Sequence, residues 1–310
     1  MRMGPAMIPC MIACLLMSCS GPHSSHDAGA SSRSPQTDTV TPSEPHAAPP
    51  LRASRSPETR PAAPSAQPEA FARELDRTLA TLRNPRSTPA EVRRAGQYQQ
   101  LAARRLATGS SAFSRTVLAR TGHQTSAIFT GDVRAARSLI ELTAPQKRLP
   151  RWRIISPPPV DELRRYYAEA QRLTGVHWTF LAAINLVETR MGRIRGTSPA
   201  GAQGPMQFMP STWETYGAGG DINDPRDAIL GAARLLQANG AAKDMSAALY
   251  RYNPSHQYVR AITQYALTMQ RAPYTLRGYW HWRVLYRDVQ GMYLLPVGYP
   301  HVPPVLLESR

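Results

Sequence analysis

Between Glu69 and Leu142 apolar residues recur three or four positions apart. Phe71, Leu75, Leu79 and Leu82 form one stripe, and Val92, Tyr98, Leu101 and Leu106 form another behind the start signal Ser87-Thr88-Pro89. That spacing predicts a succession of amphipathic helices, with arginines filling their solvated faces. Pro145 and the run Ser156-Pro157-Pro158-Pro159 interrupt the pattern, which places a boundary near residue 150 and a new helix start at Val160. From Val160 to Met269 the sequence again reads as helices joined by short and long loops, with few stretches that alternate as strands do. The expected class is mainly α. Farther on, the aromatic, β-rich stretches Tyr279 to Tyr286 and Met292 to Leu295 flank Asp288 to Gly291 and predict a small hairpin.

The chain ahead of Glu69 has a different character. Residues 1–18 hold one basic side chain, Arg2, followed by an uncharged apolar run, the composition of an export signal. The run is shorter than the ~20 apolar residues a spanning helix requires. Leu16-Met17-Ser18-Cys19 resembles a bacterial lipoprotein signal, in which the cysteine is lipidated and becomes the mature N-terminus; the alternative is an ordinary cleaved leader or short anchor in which Cys19 is incidental. Residues 19–68 are rich in Ser, Pro, Ala, Thr and His. With almost no large apolar side chains to bury, they are expected to form a disordered, proline-stiffened tether. Cys10, Cys14 and Cys19 are the chain's three cysteines, so the part beyond the leader has none for disulfides or thiolate metal sites. The formal net charge of +16 is spread along the chain as scattered arginine, which implies a polyanionic neighbour. No nucleic-acid motif accompanies it, and an exported protein first meets anionic lipid and cell-wall carboxylates.

Three segments carry candidate chemistry. The helix expected from Trp178 to Met191 is apolar nearly all round, yet Glu188 falls on the same face as Leu181, Ile184 and Met191. Desolvation there would raise the carboxyl pKa and keep a proton available for donation. The competing reading pairs Glu188 with Arg190, Arg193 or Arg195 at the helix end. Next, Gly196 to Trp213 forms a long glycine-containing loop, where Gly201 and Gly204 allow close backbone approach and Met206, Gln207 and Phe208 combine apolar surface with an amide. Such a mixture suits a sugar, and a purely structural Gly/Pro loop is the alternative. Last, the stretch from Ala247 reads as a helix that stops at Asn253-Pro254 and restarts after Ser255, leaving Tyr252 and Asn253 at the break.

Taken together, Glu188-Thr189-Arg190-Met191-Gly192, Gly201-Ala-Gln-Gly204-Pro-Met206-Gln207-Phe208 and Ala248-Leu-Tyr-Arg-Tyr252-Asn253 closely resemble the motifs of the lytic transglycosylases, nearest to the branch of membrane-bound lytic murein transglycosylase B. Thr189 stands where many soluble members have serine, and Arg251 where many have a small residue. The resemblance covers about Val160 to Met269 and implies a lysozyme-like fold with the glutamate at the base of a cleft. It also implies roles. Glu188 would be the catalytic acid, Gly204, Met206, Gln207 and Phe208 would line the glycan cleft, and Tyr252 and Asn253 would orient the glutamate and the N-acetyl group. The implied activity is cleavage of the β-1,4 bond between N-acetylmuramic acid and N-acetylglucosamine in peptidoglycan, leaving 1,6-anhydro-muramic acid ends. Neither a metal nor an organic cofactor is required.

The Asp221 to Asp227 segment could suggest calcium or a second acid, but Asp224-Pro225 is a helix-start signal and the spacing lacks the glycine and terminal glutamate of a calcium loop. The resulting organisation is a signal (1–18), a tether (19–68), a helical N-terminal region (69–150), a catalytic domain (151–272) and a C-terminal extension (273–310). The expected partners are peptidoglycan strands and, through Cys19, the outer side of the cytoplasmic membrane. A hydrolytic muramidase of the same fold and a non-catalytic wall-binding lipoprotein are the alternatives.

Overall fold

The computed structural model describes residues 62–309, and the expected signal, the Cys19 lipidation site and most of the expected tether lie outside them. The described part begins with four helices, α1 (Pro68–Arg83), α2 (Pro89–Thr108), α3 (Ser111–Leu118) and α4 (His123–Leu142). Residue 68, at the end of the expected tether, is already helical: Gln67 is the N-cap of α1 and Ser65 donates its N–H to Glu74 Oε2. The start signal before α2 is a complete capping box, in which the Thr88 hydroxyl accepts from the N–H of Glu91 and the Glu91 carboxylate accepts from the N–H of Thr88. The stripe Phe71, Leu75, Leu79 and Leu82 is buried, and it packs with Leu106 and Phe129 into one core.

After a short strand β1 (Arg153–Ile154) come α5 (Val160–Thr174) and α6 (Trp178–Thr189), then β2 (Ile194–Arg195), which pairs antiparallel with β1. Helices α7 (Pro210–Tyr216), α8 (Pro225–Ala238), α9 (Met245–Tyr252) and α10 (His256–Arg271) complete a second and larger core around α6. Asp224 caps α8 by accepting from the N–H groups of Arg226 and Asp227, with Pro225 in the first turn. Helix α10 lies against both α4 and α6. Its approach to α4 is close because α4 presents Gly131: a Cβ there would come within 2.5 Å of Thr268 Oγ1. Ala135 of α4 belongs to the larger core, and Leu139 and Leu142 pack on it, so α4 contributes to that core although it ends before residue 150.

Two sequence expectations change at the C-terminal end. Tyr279 and Trp280 do not enter a strand; they close α11 (Thr275–Trp280), where Tyr279 is fully buried against Tyr265 and Trp282. The hairpin starts later, as β3 (Val284–Arg287) paired antiparallel with β4 (Gly291–Leu295), and Asp288 Oδ1 closes its turn by accepting from the N–H groups of Gln290 and Gly291. A third strand, β5 (Val305–Ser309), adds to β4 and makes a three-stranded sheet where a two-stranded hairpin was expected. The helical assignment of Tyr279 is a tertiary effect, since an aromatic residue fits a strand and a buried helix face equally well.

Candidate active site

Helix α6 brings the acid to the centre of the larger core. Leu181, Ala182, Ala183, Ile184 and Leu186 are fully buried around it, and Glu188 itself is only 4% exposed. Burial drives the Glu188 carboxyl up to about 8, because the charged form loses its hydration. A hydrogen bond from Tyr258 and the positive charge of Arg190 act in the opposite direction and do not offset it. The three arginines that could compete for Glu188 all direct guanidinium N–H groups to backbone carbonyls. Arg190 Nη1 donates to Leu186 O at 2.6 Å, Arg193 Nη2 to Trp280 O at 2.8 Å and Arg195 Nη1 to Asn223 O at 3.0 Å.

The helix carrying the acid stops sooner than its apolar pattern suggests. It ends at Thr189, and Arg190, Met191 and Gly192 follow with φ of 55°, 62° and 81°. Two non-glycine residues in the left-handed region cost free energy that the surroundings must offset. Met191 N–H donates to Asn185 O at 3.0 Å and Gly192 N–H to Thr189 Oγ1 at 3.0 Å, and the Met191 side chain turns back into the core beside the Tyr167 hydroxyl. Met191 therefore shares the core with Ile184 without sharing the helix.

This reversal is fastened to the glycine-containing loop. Pro205 O accepts from Thr189 Oγ1 at 2.6 Å and from Asn185 Nδ2 at 3.0 Å, while Asn185 Oδ1 accepts from the Tyr167 hydroxyl at 2.7 Å. The loop folds into a tight reverse turn: Gln203 and Phe208 exchange backbone hydrogen bonds at 2.8 and 2.9 Å, and Gln207 N–H closes the turn onto Gly204 O at 3.1 Å. Gly204 has φ of 72°, and a Cβ on it would lie 1.9 Å from Ile222 O, so only glycine fits. Gln207 also adopts positive φ, and its side-chain Nε2 donates to Gly204 O at 3.0 Å. The side chains of Met206 and Phe208, expected to offer open apolar surface, are buried in the larger core. The reason is packing: Phe208 is held edge-on against both Trp213 and Tyr252.

Tyr252 and Asn253 sit at the end of α9, where Asn253 is the C-cap and Ser255 opens α10 by accepting from the N–H of Tyr258. The Tyr252 hydroxyl donates to Met206 O at 2.6 Å, which fixes the reverse turn from the other side. Its ring stacks on that of Tyr258, centroids 6.4 Å apart and planes 4° from parallel, and Tyr258 is the residue that hydrogen-bonds Glu188. The structure thus joins Glu188, Tyr258, Tyr252 and the Gly204–Gln207 turn in one buried group. Asn253 is buried beside it, and Cys19 lies outside the described residues. Tyr258 is the neighbour of Glu188 that sequence reasoning missed. Its only signal is the restart of the helix at Ser255, which places an aromatic side chain in the first turn, six residues after Tyr252.

Among the described residues, no group of three or more His, Cys, Asp or Glu side chains is placed to hold a metal, and no helix is long and apolar enough to cross a membrane. Residues 165–272 match the family model described as Transglycosylase SLT domain. The chain is 39% identical over 80 residues to membrane-bound lytic murein transglycosylase F of Thiobacillus denitrificans (strain ATCC 25259 / T1), a stretch that is 26% of this chain and 17% of that relative. The chain therefore spans about a sixth of the relative's length. No solved structure matches. These likenesses do not specify the transglycosylase B branch.

Proposed function

We propose that the protein cleaves the glycan strands of peptidoglycan, with Glu188 acting first as acid and then as base, a reading supported by the match of residues 165–272 to the Transglycosylase SLT domain. The observation that carries the reading is a buried carboxyl group raised to about 8, which holds a proton at neutral pH. In the reaction, Glu188 gives its proton to the oxygen joining N-acetylmuramic acid to N-acetylglucosamine, and the bond from that oxygen to the muramic anomeric carbon breaks. The muramic 6-hydroxyl oxygen then bonds to that carbon, and its proton passes to the Glu188 carboxylate. The acid is regenerated, no water is consumed, and the product ends in a 1,6-anhydro ring. A single carboxyl group suffices because the substrate supplies the nucleophile.

The other residues take supporting and binding parts. Tyr258 donates to Glu188 and favours the carboxylate formed between the two proton transfers. Gly204 and Gln207 bring backbone and amide to the glycan, Asn253 meets the N-acetyl group, and Met206, Phe208 and Tyr252 hold the turn in place. The lipoprotein-like sequence Leu16-Met17-Ser18-Cys19 supports a proposed site in the cell envelope, lipid-anchored at the outer side of the cytoplasmic membrane.

Digestion of purified peptidoglycan by the protein and by its Glu188→Gln variant, with products read by mass spectrometry, tests the reading. The wild-type protein is expected to yield anhydro-muramic ends and the variant none. Reducing ends carrying an added water would assign hydrolysis, and full activity of the variant would remove Glu188 from the mechanism.

A further inference from the structure

A cavity of about 110 Å³ lies between α2, α4, α10, Trp282 and the β3–β4 hairpin. Three guanidinium-bearing side chains line it, Arg104 from α2, Arg190 from the turn after α6 and Arg287 from β3, and no carboxylate lines it. Trp282 is 4% exposed, and its indole N–H finds no acceptor in the protein; the buried Arg104 Nε is likewise without a hydrogen-bond partner. Arg287 is anchored by donating to Thr143 O at 2.8 Å, and Arg190 by donating to Leu186 O. Their heads are therefore held in place by the backbone.

No carboxylate lines the cavity beside Arg104. Burial lowers the Arg104 pKa, and the neighbouring charge of Arg287 lowers it further against an attraction from Glu308. A partly buried guanidinium group whose Nε lacks an acceptor costs free energy that a bound anion would recover. The rest of the wall is apolar, formed by residues such as Leu139, Tyr265 and Met292. Half-buried Thr143 and exposed Ala144 at the end of α4 give the cavity its opening.

We propose that this cavity is a binding site for a small oxyanion of two or more charges, gripped by Arg104, Arg190 and Arg287 and hydrogen-bonded by the Trp282 indole. Guanidinium forks suit carboxylate and phosphate oxygens alike, and the apolar wall accepts a short carbon chain behind the charge. Arg190 borders both this cavity and the group around Glu188, whose carboxyl feels its charge, whereas Arg104, Arg287 and Trp282 have no part in the reaction proposed for that group.

Isothermal titration of the purified protein with glutarate, citrate and inorganic phosphate tests this. Neutral glutaramide and sodium chloride of matched ionic strength serve as controls. Binding of at least one oxyanion and of neither control is expected, and the choice among the three probes separates a carboxylate from a phosphate ligand. Arg104→Met and Arg287→Met should each weaken it about tenfold or more. In parallel, the Trp282 indole N–H resonance, assigned by its loss in Trp282→Phe, should shift with the oxyanion and not with chloride. This second readout needs no arginine variant to fold. Absence of binding above the chloride control, an unmoved Trp282 resonance, or undiminished affinity in folded arginine variants would overturn the proposal.

Discussion

The hydroxyl of Thr189 donates to the carbonyl of Pro205 at 2.6 Å, so the residue next to Glu188 is tied directly to the Gly204–Gln207 turn. The same oxygen accepts from the N–H of Gly192 at 3.0 Å and caps the left-handed segment. Both bonds need a hydroxyl at this position, and serine supplies one as well as threonine does. Thr189→Val is expected to lower stability by about 1–3 kcal/mol, the cost of leaving buried polar groups unpaired, and to reduce kcat. Thr189→Ser should keep both properties near wild type. Chemical denaturation and wall-digestion assays on the two variants check this.

The Glu188–Tyr258 contact sets the pH dependence. Activity that needs the protonated acid should be full well below pH 8 and fall as pH rises through about 8, where Glu188 ionises. Tyr258 lowers that value by favouring the carboxylate. Tyr258→Phe should therefore move the alkaline limb to higher pH while lowering the maximum rate. A limb that stays in place in the Phe variant would mean that another group controls it.

Gly204 leaves no room for a side chain. Gly204→Ala would drive a Cβ into Ile222 O and impose positive φ on alanine, at a cost of about 1 kcal/mol for the backbone conformation alone and more for the clash. Loss of wall digestion together with a lowered melting temperature is the expected result. Gly219, which also has positive φ but open space around it, is the control, and its alanine variant should show only the smaller backbone cost.

A second buried carboxyl group gives a stability test independent of activity. Asp132 is completely buried, accepts from Tyr279 and from Gln99 Nε2 at 2.9 Å, and is raised by burial from 3.8 to about 7. The folded state thus holds this proton more tightly than the unfolded chain. Its contribution is fully present below pH 4 and is lost as pH rises through about 7, by on the order of 4 kcal/mol at most. Asp132→Asn should remove that slope, since Gln99 can turn its amide and use the Oε1 that now lacks a partner. Urea unfolding at pH 5 and pH 8 compares the two proteins, and equal slopes would refute the assignment.

How much of this was legible beforehand depended on whether the cause was local. The helical stripes, the Thr88 and Asp224 caps and the α9–α10 break rest on neighbouring residues, and they appear where the spacing places them. Glu188 was legible because a carboxylate on an apolar face is an anomaly in itself. Tyr258 was not, because an aromatic residue in an amphipathic helix looks like core until a partner 70 residues away is brought to it. Met206 and Phe208 show the converse: a glycine-rich loop suggests open surface, yet long-range packing against Trp213 and Tyr252 turns those side chains inward. The strand β5 escaped because its pairing with β4 depends on the intervening chain's return path.

The missing Cβ at Gly131 lets α4 pack closely on α10 and so ties the first four helices to the rest. Helix α4 seals the flank of the rod whose opening turn carries Tyr258, so a shortened protein beginning near residue 150 would lay that flank bare to water and loosen the group that steadies the acid. Trimming toward a minimal domain must therefore stop short of α4; what resembles a dispensable preface is a buttress of the half that holds Glu188.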